Sequence, residues 1–366
     1  MKHLLCAILA LASVSLVPGT AALAAAPSRT AQLQAAVDDA VATGVPGVIL
    51  LARDGTGTIR VTEGYGSLAT KTPIRATDRF RVGSLTKTFV ATVALELVDE
   101  GMLSLDDSVE HWLPGVVPNG SNISVRELLN MRSGLYDYLN ENTVILKRFL
   151  AGDLLHRYTP LELVRVATAN RPYFAPGAGW HYCNTCYILV GLIVEKATGH
   201  PIATELEQRI FKPLKLRDTT FDTQPAIAGP HAHGYIRDGK QLRDVSVVSP
   251  TPAGAAGAIV STVDDLDRFF TALNSGRLLP PKLLQDMTTG TPSSNGYGLG
   301  YARTKVPCGT MFWNNGNYLG FNATAFGSPG GDRQVVMFVN LDEDNHAATV
   351  LKALNGVMSL AVCGQR

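Results

Sequence analysis

The chain has 366 residues, 46% of them apolar, and 32 Lys+Arg against 31 Asp+Glu give a formal net charge of +1 at pH 7. That length supports a large core, in one big domain or two interlocked ones. A charge so close to balance offers no footing for nucleic acid or for an anionic membrane surface.

Residues 1–26 read as an export signal: Lys2 and His3 form a basic start, Leu4 to Val17 an apolar core, and Ala22-Leu23-Ala24 or Ala24-Ala25-Ala26 a small-residue cleavage site. The apolar run is too short for a stable membrane span, so the mature chain is expected to be secreted, with no membrane anchor. Cys6 leaves with the signal. The four remaining cysteines allow three pairings, and an oxidising compartment permits them. Cys308 and Cys363 would tie a late strand to the C-terminal helix. Cys183 and Cys186 are spaced like a redox or metal pair but have no matching partner set, and they read as buried thiols or a local bridge.

Beyond the signal, Ala31 to Val41 is amphipathic and predicts a helix, and Gly47 to Ala52 with Thr58 to Tyr65 predicts a hairpin turning at Asp54-Gly55. An apolar helix opens at Ser84 and runs through Leu97. From about Leu103 to Leu273 the pattern is mostly helical, with helices over Val125–Met131, Pro160–Ala169, Cys186–Ala197 and Ala203–Ile210. Thr262-Val263-Asp264-Asp265 is a capping signature for a further helix through Leu273. Tyr297–Lys305, Gly309–Asn315, Phe321–Phe326 and Gln334–Leu341 then read as four strands, closed by a helix over about Asn345 to Val362. The expected fold is α/β in an α+β sandwich: an antiparallel sheet built from both chain ends (27–98 and 275–366), flanked by helices, with an inserted all-helical domain (99–274) and a cleft at the junction.

The chemistry centres on Ser84-Leu85-Thr86-Lys87. At helical spacing Lys87 lies one turn above Ser84 on the same face, and a desolvated, neutral lysine can take a serine proton. The helix start also offers free N–H groups to a developing oxyanion. Tyr182-Cys183-Asn184 supplies a phenol that can act as a phenolate-like base or proton shuttle, and an amide that can bond both lysine and a substrate carbonyl. Tyr138-Leu139-Asn140 has the same spacing; Tyr182 is preferred because it follows Ala175-Pro176-Gly177-Ala178-Gly179 and starts a helix. His231 and His233 have no third ligand at a sensible spacing, His181 reads as a packing residue, and Gly254 to Gly257 reads as a flexible loop.

Ser84-x-x-Lys87 and Tyr182-x-Asn184, together with Leu97-Val98-Asp99-Glu100-Gly101, Arg132-Ser133-Gly134-Leu135-Tyr136-Asp137-Tyr138 and Gly296-Tyr297-Gly298-Leu299-Gly300, resemble the penicillin-recognising serine hydrolases. The likeness covers nearly the whole mature chain. Within that family the chain is most similar to the secreted actinobacterial serine D-Ala-D-Ala carboxypeptidases, kin to class C β-lactamases. The resemblance implies an acyl-enzyme on Ser84, Lys87 and Tyr182 passing the proton to the leaving group, and an oxyanion hole made by the N–H groups of Ser84 and Asn317. It implies no metal and no organic cofactor. The expected partners are a small peptide or peptidoglycan-type substrate and β-lactams as covalent ligands, and the protein is expected to be a monomer.

The third family motif, a Lys or His followed by Thr or Ser and then Gly, is replaced here by Asn314-Asn315-Gly316-Asn317. The family's carboxylate-binding arginine falls on Ala302. Because a charge-assisted hydrogen bond contributes roughly 1.5–3 kcal/mol, losing two cations disfavours carboxylate-ended ligands and favours neutral amides, esters or thioesters. Asn314, Asn315, Gly316 and Asn317 are the expected substrate-binding residues, joined by Trp313 through strand parity. The leading expectation is a secreted serine acyl-transfer hydrolase acting on a D-amino-acid peptide, amide or ester. The alternatives are a catalytically weak peptide- or peptidoglycan-binding protein and a specialised acyltransferase, esterase or β-lactamase-like enzyme.

Overall fold

The computed structural model describes residues 27–139, 143–291, 294, 296–342 and 347–364; residues 1–26, which read as an export signal in the sequence, and Asn140 lie outside them. The Ser28 side chain accepts from Ala31 N and caps α1 (Arg29–Ala42), which buries Leu33, Val37 and Ala40. The hairpin forms as β1 (Gly47–Asp54) and β2 (Gly57–Ser67), followed by the short β3 (Thr72–Pro73) and β4 (Phe80–Arg81). The first six residues of β1 are all buried, as a strand covered on both faces must be. A tight turn at Gly83–Leu85 leads into α2 (Thr86–Asp99), which is buried on nearly all sides.

The middle of the chain carries α3 (Val109–Trp112), α4 (Val125–Leu129), α5 (Val144–Leu150), α6 (Pro160–Thr168), α7 (Asn184–Thr198), α8 (Ile202–Leu206) and α9 (Lys212–Leu214). Four strand fragments, β5 (Thr220–Phe221), β6 (Tyr235–Asp238), β7 (Gln241–Asp244) and β8 (Ile259–Ser261), interrupt the helical pattern. They are too short to show an alternation in sequence, and they escaped the helical reading for that reason. The helix expected over Ala203–Ile210 is α8 followed by a π-helical turn at Glu207–Phe211. Next in the chain, Pro213 has no N–H to return to the carbonyl four residues back. The chain ends with α10 (Val263–Asn274), α11 (Pro281–Met287), β9 (Ala302–Val306), β10 (Gly309–Tyr318), β11 (Phe321–Gly327), β12 (Gln334–Val339) and α12 (Ala348–Cys363).

Seven strands form one antiparallel sheet in the order β3-β2-β1-β12-β11-β10-β9, so the two chain ends meet where β1 pairs β12, with Val48 opposite Val339. Side chains alternate across it. Val48, Leu50, Val335 and Met337 pack toward α1 and α12, whereas Ile49, Leu51, Val336 and Phe338 face the main core. There Phe80 stacks on Phe338 at 4.0 Å, and Phe89 of α2 stacks on Phe269 of α10 at 3.5 Å. By sequence position α10 belongs with the inserted helices, yet it packs on the sheet, and Arg53 of β1 pairs Asp267 at 2.9 Å. Its cap is half of the expected box: Thr262 accepts from Asp265 N, but the Asp265 carboxylate turns to Asp218 N and Thr219. Tyr297 only bridges Ala302 across a turn in which Gly300 has φ +83°, so the strand expected over Tyr297–Lys305 begins at Ala302. Disulfides join Cys308 to Cys363 and Cys183 to Cys186, the latter spanning the first turn of α7.

Candidate active site

β4 pairs with β8 and delivers the chain to the turn at Gly83–Leu85, so Ser84 sits in a 3-10 turn just before α2 rather than on the helix itself. β10 crosses directly over this turn. A Cβ at Gly316 would collide with the Val82 carbonyl and lie 2.6 Å from Ser84 N, and one at Gly83 (φ +52°) would lie 2.7 Å from the Asn317 carbonyl. Both glycines are therefore required by close backbone approach.

Lys87, the second residue of α2 and one turn beyond Ser84, is fully buried. Its Nζ lies 2.9 Å from Ser84 Oγ, 2.8 Å from Asn184 Oδ1 and 2.8 Å from the Ala256 carbonyl. Burial pushes its pKa down to about 7, against the pull of the Asp137 charge. In the neutral amine two N–H bonds serve the two carbonyl acceptors, and the lone pair is left facing Ser84, the one partner of the three that can donate. This arrangement can accept the serine proton.

Asn184 opens α7, and its orientation is set from behind. Asp137 accepts from both Asn184 N and Asn184 Nδ2, each at 3.0 Å, which leaves Oδ1 for Lys87. Burial raises the Asp137 pKa, while bonds from Leu139 N and Asn184 N and the Lys87 charge oppose the rise. Tyr182 Oη lies 2.5 Å from Ser84 Oγ, and its ring lies 4.8 Å from Lys87 Nζ. Burial raises the phenol pKa further above its already basic value. Of the two roles the sequence offers Tyr182, a phenol held in its protonated form fits the proton shuttle better than the phenolate-like base.

In the other Tyr-x-Asn triplet Leu139 lines the serine cleft, but the tyrosine hydroxyl is engaged elsewhere. Tyr138 is buried and donates to the Pro252 carbonyl at 2.6 Å, and Asn140 lies outside the described residues. His181 stacks on Tyr173 at 3.8 Å. His233 Nδ1 lies 2.6 Å from Asp244, and among the described residues no group of three His, Cys, Asp or Glu could hold a metal ion.

Along β10 the side chains separate by parity. Asn314 points into the core, where Nδ2 lies 2.9 Å from Thr88 Oγ1 and 3.4 Å from the Gly300 carbonyl, and Oδ1 accepts from Asn315 N at 2.9 Å. It braces the serine turn and does not line the cleft, contrary to its expected substrate contact. Trp313 shares the parity of Asn315 and Asn317, but it stacks on Phe326 at 5.8 Å in a separate cavity of about 850 Å³ under α12. Asn315 borders both spaces. β9 covers β10 only through Trp313, leaving the edge beyond it open. Asn315 N is spent on Asn314 Oδ1 rather than on the ladder, so by alternation Asn317 N points to the same open edge, beside Ser84.

The serine cleft is about 620 Å³, with Ser84, Tyr182 and Asn184 at its base and Asn315, Gly316 and Asn317 along one wall. Leu146, Phe149 and Leu150 of α5 and Leu154 form an apolar wall, and Asp342 lies beyond Asn317. Sequence reasoning singled out neither the apolar wall nor Asp342 and did not assign roles to Asp137 or Ala256. A carboxylate between two aromatic residues, as at Tyr136-Asp137-Tyr138, was the available signal; a backbone carbonyl such as that of Ala256 leaves none. Gly254–Ala256, read as a flexible loop, is an ordered 3-10 turn that presents this carbonyl.

Comparison with known proteins places this geometry in a family. The profile of the Beta-lactamase family matches residues 33–356. A D-stereospecific amidohydrolase from Streptomyces sp. is 38% identical, with a TM-score of 0.83 over 93% of this chain and 100% of that one. The D-amino acid amidase from Ochrobactrum anthropi SV3, solved with L-phenylalanine amide, is 28% identical, with a TM-score of 0.78 over 89% of this chain and 96% of that one. Penicillin-binding protein 4* of Bacillus subtilis (strain 168) is 26% identical over 333 residues, covering 85% of this chain and 72% of the relative. With a match that runs from α1 to α12 through every part of the serine site, the chain belongs to the Beta-lactamase family and is a serine hydrolase of that family.

Proposed function

We propose that the protein is an exported, D-stereoselective amidohydrolase that opens neutral-ended amino-acid amides, short peptides and esters through an acyl-enzyme on Ser84. The observation that carries this reading is the third-motif strand β10 and its neighbour β9: Asn314 is turned inward onto Thr88, and Ala302 of β9, where a carboxylate-binding cation would stand, is buried. A free carboxylate on the leaving group finds no charged partner at either position, whereas an uncharged amide or ester loses nothing there. The likeness to a D-stereospecific amidohydrolase and a D-amino acid amidase supports the same substrate class. Export is supported by the leader-like residues 1–26 and by two disulfides, which persist in oxidising compartments.

In this reading Ser84 Oγ attacks the carbonyl carbon while its proton passes to Lys87, and the oxyanion is held by the N–H groups of Ser84 and Asn317. The leaving amine takes a proton from Tyr182, which Lys87 replenishes, and the C–N bond breaks to leave the acyl-serine. Water then attacks the ester by the reverse relay and frees the acid.

The test compares the mature chain with Ser84→Ala on D-phenylalanine amide, L-phenylalanine amide, D-phenylalanine methyl ester and a D-Ala-D-Ala-ended peptide. The expected result is Ser84-dependent release of D-phenylalanine, from amide or ester, faster than release of D-Ala from the acid-ended peptide. Faster turnover of the acid-ended peptide would overturn the reading.

A further inference from the structure

The cleft carries one acidic side chain among its described lining residues, Asp342, and it stands at the same end as the apolar wall. Tyr318 and Leu319, at the end of β10, pack with Phe149 and Leu154. Asp342 follows β12 and is only 6% exposed; its backbone N donates to the Tyr235 carbonyl at 3.0 Å, and its Oδ2 accepts from Gly320 N at 3.1 Å. These bonds fix the carboxylate beside Asn317, whose Nδ2 lies 3.5 Å from Asp342 Oδ1. The other amide atom, Asn317 Oδ1, is buried and has no hydrogen-bond partner among the described residues. A fixed anion and an acceptor lacking a donor stand together, a combination that suits a cation with several N–H bonds.

Resting on the proposed function, we infer that Asp342 and Asn317 receive a positively charged amino group on the acyl side of the substrate, so that the preferred donors are D-amino-acid amides and esters with a free α-ammonium rather than N-acylated ones. The three substituents that matter on the α-carbon then have separate partners. The carbonyl lies at Ser84, the hydrophobic side chain against Phe149 and Leu154, and the ammonium at Asp342 and Asn317. Exchanging any two of them, as the opposite enantiomer does, sends the charge to the apolar wall, which supplies stereoselectivity by desolvation. The cleft also holds Arg237 and Arg243, on the hairpin of β6 and β7. The Arg237 guanidinium reaches toward the end of α1, where Nη2 lies 3.8 Å from the Cβ position of Gly44, and Arg243 is exposed on the hairpin. If these arginines governed recognition instead, an N-succinylated, anionic donor would be preferred.

The experiment measures kcat/KM for D-phenylalanine amide, N-acetyl-D-phenylalanine amide and N-succinyl-D-phenylalanine amide with wild type, Asp342→Asn and Asp342→Glu. The readout is the ratio of free-amine to N-acetyl substrate, from which the fraction of folded enzyme cancels. The wild type should favour the free amine, Asp342→Asn should lower the ratio by about ten- to a hundredfold, and Asp342→Glu should restore part of it. In the wild type the ratio should also fall as pH rises past the α-amino titration near ~7.7. An unchanged ratio in Asp342→Asn, or a wild-type preference for the acetyl or succinyl donor, would overturn the inference while leaving the amidase reading intact. Turnover of none of the three would overturn that reading, and this inference with it.

Discussion

Asp137 Oδ2 accepts two hydrogen bonds from one residue, the backbone N and the side-chain Nδ2 of Asn184, both at 3.0 Å. The pair fixes which end of the carboxamide meets Lys87, so Asp137 acts on the serine through Asn184 without touching it. In Asp137→Asn a carboxamide oxygen set to accept both bonds turns its NH2 onto Leu139 N, which donates to Oδ1 at 2.9 Å, and the flipped amide presents N–H groups to Asn184 instead. The expected loss in kcat is about 10²-fold, the scale of a small displacement of catalytic groups, with a smaller change in KM. Steady-state kinetics on D-phenylalanine methyl ester would check this; a loss confined to KM would contradict a positioning role.

Lys87 sets the pH dependence. With its pKa pushed down to about 7 by burial, activity should rise through that pH as the amine becomes neutral, then stay level until another group titrates. The same shift bears on stability. A lysine whose folded pKa is depressed leaves the unfolded chain binding the extra proton, so stability is lost as pH falls from near 10.5 toward 7. Lys87→Met should therefore abolish turnover yet stabilise the fold at pH 7 by on the order of 3 kcal/mol, with the gain shrinking as pH rises from 7 toward 10.5. Urea unfolding at several pH values reads both.

Glu96, at the far end of α2, predicts the opposite slope. Burial pushes its pKa up to about 7, opposed by Arg209, whose guanidinium is 3.8 Å away and also pairs Glu100 and Glu205. Here the native state holds the extra proton, so stability present below pH 4.5 is lost as pH rises to about 7. Glu96→Gln should remove that loss, adding on the order of 2 kcal/mol at pH 8 and little at pH 4, as measured by denaturant midpoints.

Much of this site was legible in the sequence because its chemistry rests on short spacings. Ser84 and Lys87 sit one helical turn apart, and Tyr182 and Asn184 flank a helix start, so local geometry alone brings each pair together. The orientation of the third-motif strand was not legible. Parity correctly grouped Trp313 with Asn315 and Asn317, but only the end of β9 and the position of α12 decide that Trp313 leaves the cleft while Asn315 stays. The same alternation turns Asn314 onto Thr88, which no local pattern announces. Asp137 and Asp342 reach the site from other parts of the chain, and Ala256 contributes a carbonyl that any residue would carry. The sheet was readable from long strands at both chain ends. The two- to four-residue strands of the middle region take their shape from tertiary pairing.

Gly316 offers the sharpest test of how β10 and the serine turn meet. Its missing side chain lets the strand lie against Val82 and Ser84, and an added Cβ would come within 2.6 Å of Ser84 N and 2.8 Å of Leu85 N. Those contacts are with backbone, which cannot rotate away as a side chain can. Either β10 lifts, withdrawing Asn317 N from the serine, or the turn shifts and breaks the bond between Lys87 Nζ and Ser84 Oγ. Gly316→Ala should therefore lower kcat by about 10²–10³-fold, as the loss of an oxyanion donor does. Thermal unfolding would separate a displaced strand from a failed fold: a folded variant that retains full activity would show that the strand does not supply the second N–H.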